Sequence, residues 1–587
     1  MLWGKTVTMT AASQNPDRSP QTARPRRRVL RQGWSLAAVL VATGVLLPIL
    51  AVAWIAANPT ENIWPHLMAT VMPRYFMTTV ALAAGTGLLA AIMGAGTAWL
   101  VAMHDFPGRR WLQWALLMPL AVPAYVGAYA LADFLDYSGP VQIALRDWFG
   151  WASAQDYWFP RIRSAPAAVV VLGAALYPYV YLLTRVALTE QSGSAFEVAR
   201  ALGTGRWGLF TRVGLPLARP AIVAGAAIAM MEAVADYGVV SYFGVQTLNT
   251  GIFTTWLERR NAGGAAQIAC AILAIVVLLA LAERFARRHA RYHQTARQSR
   301  PVSRTRLTGA GGVMAMLACA FPVTLGFVLP VGVIARHAIA YPQGWITPGL
   351  FEATLNTLWL GACAALVTVG LALVMVYGAR LSASRLPRLL MPVTTVGYAA
   401  PGAVLAVGIL IPLAALDHRV ADAWLALTGH DPGLILTGTG TAIVLAYVVR
   451  FFAIGQGAID AAFTRVSPSL PMAARSLGRN EGGVLRAVYL PLMRGSVGAG
   501  LLLVFVDCVK ELPATLLLRP FNFETLATRT HERASLEDLG NAAPAALLVM
   551  AVGLLAVAFL ARTNFGSARD GLRKRASRAI AEPGSPA

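Results

Sequence analysis

Glu197-Val-Ala-Arg-Ala-Leu-Gly203, followed after nine residues by Val213-Gly-Leu-Pro216, decides how this chain is read. It is a polar, arginine-bearing stretch between two long apolar segments, and it occurs twice. The second copy is Met472-Ala-Ala-Arg-Ser-Leu-Gly478, running on to Val488-Tyr-Leu-Pro491. Gly203 and Gly478, Leu215 and Leu490, Pro216 and Pro491, and Arg219 and Arg494 all stand 275 residues apart. A constant offset across several residue types means a duplicated unit, so each half of the chain is expected to build the same structure.

The solvent of that structure follows from composition. Of 587 residues, 57% are hydrophobic and 13% charged, with a mean hydropathy of +0.58. A soluble domain carries about 25% charged residues. Apolar runs of 20 or more residues recur, long enough to cross a hydrocarbon core of ~30 Å at ~1.5 Å per residue. The fold class is therefore an all-α polytopic membrane protein. The net charge of +22 is carried by arginine except for Lys5, Lys510 and Lys574. The arginines fall in alternate loops and beside the apolar runs, as topology requires, and no basic domain with interleaved aromatics suggests nucleic acid. Cys270, Cys319, Cys363 and Cys508 lie in or beside apolar segments without C-x-x-C spacing, and no histidine cluster appears, so neither a disulfide framework nor a metal site is expected.

Taken in order, residues 1–33 form a basic cytoplasmic arm and 34–74 a first span with its outer loop. Residues 75–283 form the first core, 284–308 a basic cytoplasmic linker and 309–352 the seventh span with its outer loop. Residues 353–561 form the second core and 562–587 a basic cytoplasmic tail. Spans are expected near 34–56, 75–103, 112–134, 165–187, 217–242 and 264–283. The second set falls near 309–335, 353–378, 389–415, 434–455, 492–518 and 542–561. Twelve spans place both termini in the cytoplasm, and six per half make the halves parallel repeats. Thr78-Thr79 and Asn356-Thr357 open corresponding spans at an offset of 278, so small insertions separate the halves.

In each repeated stretch a helical segment ends at a glycine that permits a tight exit. A short helical piece follows, and the proline of Leu-Pro is expected to start the next span at its first turn. The product is a helix–turn–helix elbow. Such a pattern, E-A-A-x-x-x-G, nine residues, then I-x-L-P, resembles the signature of permease subunits of binding-protein-dependent ABC importers. That resemblance implies the type I importer permease fold, with each elbow docking on a subunit of a cytoplasmic ATPase dimer. It carries over to Glu197, Ala199, Gly203, Leu215 and Pro216 in the first copy, and to Ala473, Ala474, Gly478, Leu490 and Pro491 in the second, where Met472 replaces the family's Glu. Two permease halves in one chain resemble the ferric-iron and thiamine branches of the family. No G-x-x-x-x-G-K-[ST] sequence occurs, so no cofactor is expected on this chain and ATP is expected to be used by the partner.

Four carboxylates interrupt the apolar runs at matched positions. Glu232 corresponds to Asp507 and Asp236 to Glu511, both at 275. Spacing i, i+4 predicts that each pair lies on one helix face. An ionised group in mid-membrane costs at least ~2.5–3.5 kcal/mol, so these acids face either a polar cavity or a partner. Glu232 lies roughly 24 Å along its span from Pro216, toward the outer side. Two readings stand: a carboxylate-lined gate or transit site for a cation, or helix-packing pairs neutralised by Lys510 or Arg519. The sequences around the acids, Glu232-Ala-Val-Ala-Asp-Tyr-Gly238 and Lys510-Glu-Leu-Pro-Ala-Thr, resemble the ferric-iron permeases. That resemblance implies an inner-membrane, non-enzymatic subunit carrying ferric iron from a periplasmic binding protein. The alternative within the class is thiamine or another small organic solute, such as a phosphonate. A secondary transporter would show inverted repeats and broken helices around an ion site, and neither is expected here.

Overall fold

The computed structural model describes residues 24–190, 194–288, 304–382, 384–395, 397 and 400–559. The basic tail 562–587 and most of the basic arm lie outside them. Eleven described helices are long and apolar enough to cross a membrane, and a bent pair makes a twelfth. In the first half these are Gln32–Ala57, Met72–Met103, the bent pair Arg109–Ala121 and Ala124–Phe149, Ala165–Thr189, Leu209–Ala235 and Ala262–Phe285. In the second they are Ala310–Ala340, Leu350–Leu381, Gly402–Thr428, Thr441–Thr464, Glu481–Val509 and Leu539–Phe559.

Several boundaries differ from the sequence expectation, each for a local reason. The first helix begins at Arg24, inside the stretch assigned to the basic arm; arginine is a good helix former. The third span, expected at 112–134, is broken: its two parts meet at 97° around Val122-Pro123. Pro123 lacks an N–H and forces Val122 into an extended conformation (φ −95°, ψ 119°). A broken helix is thus present where none was expected. The fifth and eleventh spans end at Ala235 and Val509 rather than near 242 and 518.

Pro216 and Pro491 do not start helices either. Each sits in a continuous helix, just after a π turn at Leu209–Gly214 or Leu485–Tyr489. The ring of an interior proline clashes with the carbonyl four residues back. Widening the preceding turn relieves that clash: Leu215 N–H donates to Phe210 and Leu490 N–H to Leu485, five residues back. Leu329-Pro330 in the seventh span repeats the device after a π turn at Thr324–Val328.

The halves are parallel, since the fifth and eleventh spans both run from an elbow to one shared cavity. They are also interlocked. The first span packs on the eighth and ninth, at Gly378 beside the Trp34 backbone and at Gly408 beside the Pro48 backbone, where a Cβ would collide with main chain. The seventh span in turn packs on the broken third. Residues 289–303 of the linker lie outside the described ones; at its end, Thr305–Arg306 pairs in parallel with His104–Asp105.

After the fifth and eleventh spans the chain turns through two short helices, and the repeat holds in its hydrogen bonds. Thr247 and Thr250 form a capping box on Leu248–Phe253, as Thr525 and Thr528 do on Leu526–Ser535. Thr79 Oγ1 accepts the Leu248 N–H at 2.9 Å, and Thr357 Oγ1 the Leu526 N–H at 2.8 Å. These are the threonines whose repetition opened the two corresponding spans in sequence. Replacing Thr357 with Val should leave a buried N–H unpaired and cost about 1–3 kcal/mol. Thermal unfolding of the purified protein should show the loss for T357V and little change for T357S.

Candidate functional site

The two elbows have the same geometry. Helix Ser194–Ala201 ends in Gly203 at φ +78°, and helix Ser469–Ser476 in Gly478 at φ +82°. In the first, Gly203 N–H donates to Arg200 O and Thr204 N–H to Ala199 O. In the second, the corresponding bonds run from Gly478 to Arg475 and from Arg479 to Ala474. Both close the helix with a left-handed residue, which glycine adopts without a Cβ penalty.

Glu197, Gly203, Leu215 and Pro216 are exposed and Ala199 is half-buried; Ala473, Gly478 and Pro491 are exposed, and Ala474 and Leu490 half-buried. Leu202 and Leu477 stand at the tips, 79% and 83% exposed. The bracing differs. Arg475 pairs with Glu481 at 3.0 Å in the second elbow, whereas Arg200 reaches Thr305 Oγ1 of the linker strand at 3.3 Å in the first.

At the far end of the same spans, about 40 Å along a helix of 27 residues, the four predicted carboxylates converge. Glu232, Asp236, Asp507 and Glu511 line a single cavity of about 150 Å³ between the halves. Its wall is completed by the break at 119–125, by Tyr125, Tyr179 and Tyr237, and by Arg450 and Lys510. Glu232 and Asp507 occupy the last turns of their helices.

Asp236 and Glu511 correct the expectation of a shared helix face, because each lies beyond the helix end. Asp236 Oδ1 accepts the Val239 and Val240 N–H groups at 2.9 and 3.2 Å. Glu511 accepts those of Ala514 and Thr515, both at 3.2 Å. Each carboxylate ends one helix and satisfies the first turn of the next, which a four-residue spacing alone cannot reveal.

Cations accompany the second pair. Lys510 Nζ lies 2.7 Å from Asp507, and Arg450 Nη1 lies 3.7 Å from the buried Glu511. Arg519 is elsewhere, paired with Glu532. Arg450 was missed by a reading confined to carboxylates; its signal was a lone charge in the apolar run 441–454. The tyrosines carried no comparable sequence signal, and the break only that of Pro123. Among the described residues no three His, Cys, Asp or Glu side chains stand close enough to hold a metal ion. The cavity is acid-lined without being a coordination cage.

Similarity to known proteins agrees with this architecture. Residues 87–291 match the family described as binding-protein-dependent transport system inner membrane component. The Fe(3+)-transport system permease protein FbpB 2 of Haemophilus influenzae is 24% identical over 90% of this chain and 98% of its own length. The molybdenum transport system permease protein ModB of Escherichia coli is 28% identical over 31% of this chain and 78% of its own. The sulfate transport system permease protein CysT of Escherichia coli is 26% identical over 42% and 89%.

Glu511 tests how far the second pair depends on its cation. Replacing Arg450 with Gln leaves the buried carboxylate with hydrogen bonds but no counter-charge, at a cost of roughly 3 kcal/mol. Chemical denaturation should show that R450Q is destabilised and that R450Q/E511Q recovers much of the loss.

Proposed function

We propose that this chain, an inner-membrane permease of an ABC importer, is the translocation subunit for ferric iron. A separate periplasmic binding protein delivers the ion and a separate cytoplasmic ATPase dimer drives the cycle. The observation that carries the reading is the convergence of four carboxylates on one cavity between the halves. Carboxylate and phenolate oxygens are hard ligands suited to a hard cation. With Arg450 and Lys510 counted, the lining still carries an excess of acid. The absence of a three-ligand cluster among the described residues suits transit, since an importer must release what it admits. The volume of about 150 Å³ is small beside the ~300–1,000 Å³ of pockets for drug-sized ligands, which favours an ion over thiamine. Similarity to the Fe(3+)-transport permease over nearly its whole length supports the same cargo.

The elbow side is assigned to the cytoplasm by its arginines, following the positive-inside rule, with both termini on that side. The exposed apolar tips at Leu202 and Leu477 would then seat on the ATPase subunits. Movement there would reach the cavity through two continuous helices, the π turns keeping Pro216 and Pro491 inside them. A second reading, an oxyanion cargo, is favoured by the molybdenum and sulfate relatives and by Arg450 and Lys510. The excess of acid in the lining supports the cation over the oxyanion.

Reconstitution with the partner subunits separates them. Radioactive iron should enter proteoliposomes while molybdate and sulfate do not; uptake of either oxyanion without iron would sink the cation reading. E232Q/D236N should lower iron uptake roughly tenfold or more while the ATPase still co-purifies. Leu202→Arg with Leu477→Arg should abolish co-purification, and uptake with it, from a normally inserted chain.

A further inference from the structure

The second part of the broken third span, Ala124–Leu135, carries a polar stripe that the translocation reading uses only at its foot. Tyr125, Tyr129, Asp133 and Asp136 recur at i, i+4, i+8 and i+11, one face of a helix. Tyr125 lines the cavity. At the other end Asp133 lies 3.1 Å from His337 Nε2, and Asp136 lies 3.5 Å from Arg163, which also pairs with the exposed Glu537 at 2.7 Å. At its middle the stripe meets the other half: Tyr129 Oη and His531 Nδ1 are hydrogen-bonded at 2.6 Å, both buried. Rings continue the row in both directions. Tyr242, with the Arg163 guanidinium 5.3 Å from its ring centre, packs edge-on against Tyr129 at 4.6 Å, and Tyr237 of the cavity wall lies 5.8 Å from His531. Polar and aromatic groups thus form one row from the surface opposite the elbows to the cavity.

The matching seam is apolar. Pro123 and Pro401 stand 278 residues apart, each extended before a helix, with ψ of 138° and 147°. By that register the stripe positions of the ninth span are Ala403, Val407, Ile411 and Ala414. The two capping boxes share the same offset, and they place Phe253 where the second half has His531. Each short helix packs across the interface between the halves, Leu526–Ser535 on the third span and Leu248–Phe253 on the ninth. One crossing is therefore made by Tyr129 and His531. The other lies in an apolar core that holds Ile252, Phe253, Ala403, Val404 and Val407.

We propose that cargo enters the cavity along the Tyr129–His531 seam alone, while the seam of Phe253 and Val407 stays shut as the hinge. This route rests on the importer reading and not on which ion is carried. The two seams differ in what their separation exposes. Parting Tyr129 from His531 exchanges one internal hydrogen bond for bonds to water, a nearly even trade. Parting the other seam exposes Phe253, Val407 and their neighbours to water with nothing in return. The polar seam is also the one that a hydrated ion can follow. Its phenols, imidazole and carboxylates can replace shell water around a passing ion, whereas an apolar constriction excludes it.

Cysteine labelling of the full chain, reconstituted in proteoliposomes with its partner subunits, tests this. With the binding protein outside and ATP inside, a membrane-impermeant thiol reagent should label Y129C roughly tenfold faster than without ATP, as a minor open state becomes populated. V407C should stay unlabelled in both conditions. Peptide mass spectrometry reads each site apart from the four native cysteines, and thermal melting of each variant verifies folding. Oxidising Y129C/H531C to a disulfide should abolish uptake until a reductant is added, whereas oxidising F253C/V407C should leave most of it. Labelling of V407C as fast as that of Y129C, or no acceleration at Y129C while ATP is hydrolysed, overturns the proposal. Uptake of an oxyanion instead of iron, with labelling confined to position 129, would fell the cargo assignment above and support the route.

Discussion

Within a bilayer each backbone N–H must find a partner in the protein, because hydrocarbon supplies none. The structure depends on how that constraint is met where its helices stop short. At the ends of the fifth and eleventh spans the main chain leaves the helix beside the cavity, and Asp236 and Glu511 take the N–H groups of the turn that follows. A few residues on, Thr79 and Thr357 take the first N–H of the next helix. These acceptors let the chain turn back without an orphaned donor. In doing so they fix the carboxylates at the cavity wall, so the feature that closes the backbone account also gives the cavity its charge.

The duplication is close in backbone and loose in charge. Helix ends, capping boxes, π turns and left-handed glycines recur at offsets of 275 or 278 residues. The charged partners do not. Arg450 and Lys510 accompany the second pair of acids, at positions whose first-half counterparts are Ala175 and Ala235. Glu481 braces one elbow where the linker braces the other. Backbone geometry is constrained by the need to pair every buried polar group, whereas a charge at a cavity or interface is free to change once a partner compensates it. Two fused halves can therefore keep one architecture and divide the electrostatic roles between them.

Much of this was legible in order of residues alone. The elbows, the parallel repeat, the number of spans and the four matched acids follow from an offset and from apolar run lengths, which are local properties of sequence. The errors were also local in origin. Reading Leu-Pro as a helix start is reasonable from propensity, yet three π turns carry such prolines inside continuous helices. Reading Glu232 and Asp236 as one face assumed a helix that ends between them. The break at Val122-Pro123 had a proline as its signal, but a proline can equally kink a span or open one, and packing decides which.

The sequence by itself determined that this is a helical membrane protein of two equivalent halves, with an arginine-bearing elbow and a pair of acids in each. Periodicity, apolar length and repetition are sufficient for that. The tertiary structure decided what meets what. It interlocked the halves through the first and seventh spans, and brought the four acids, Arg450 and three tyrosines to one cavity. Those juxtapositions join residues up to several hundred positions apart. They arise because apolar faces and unpaired backbone groups are satisfied only when particular helices pack together, and no local pattern in the sequence encodes that pairing.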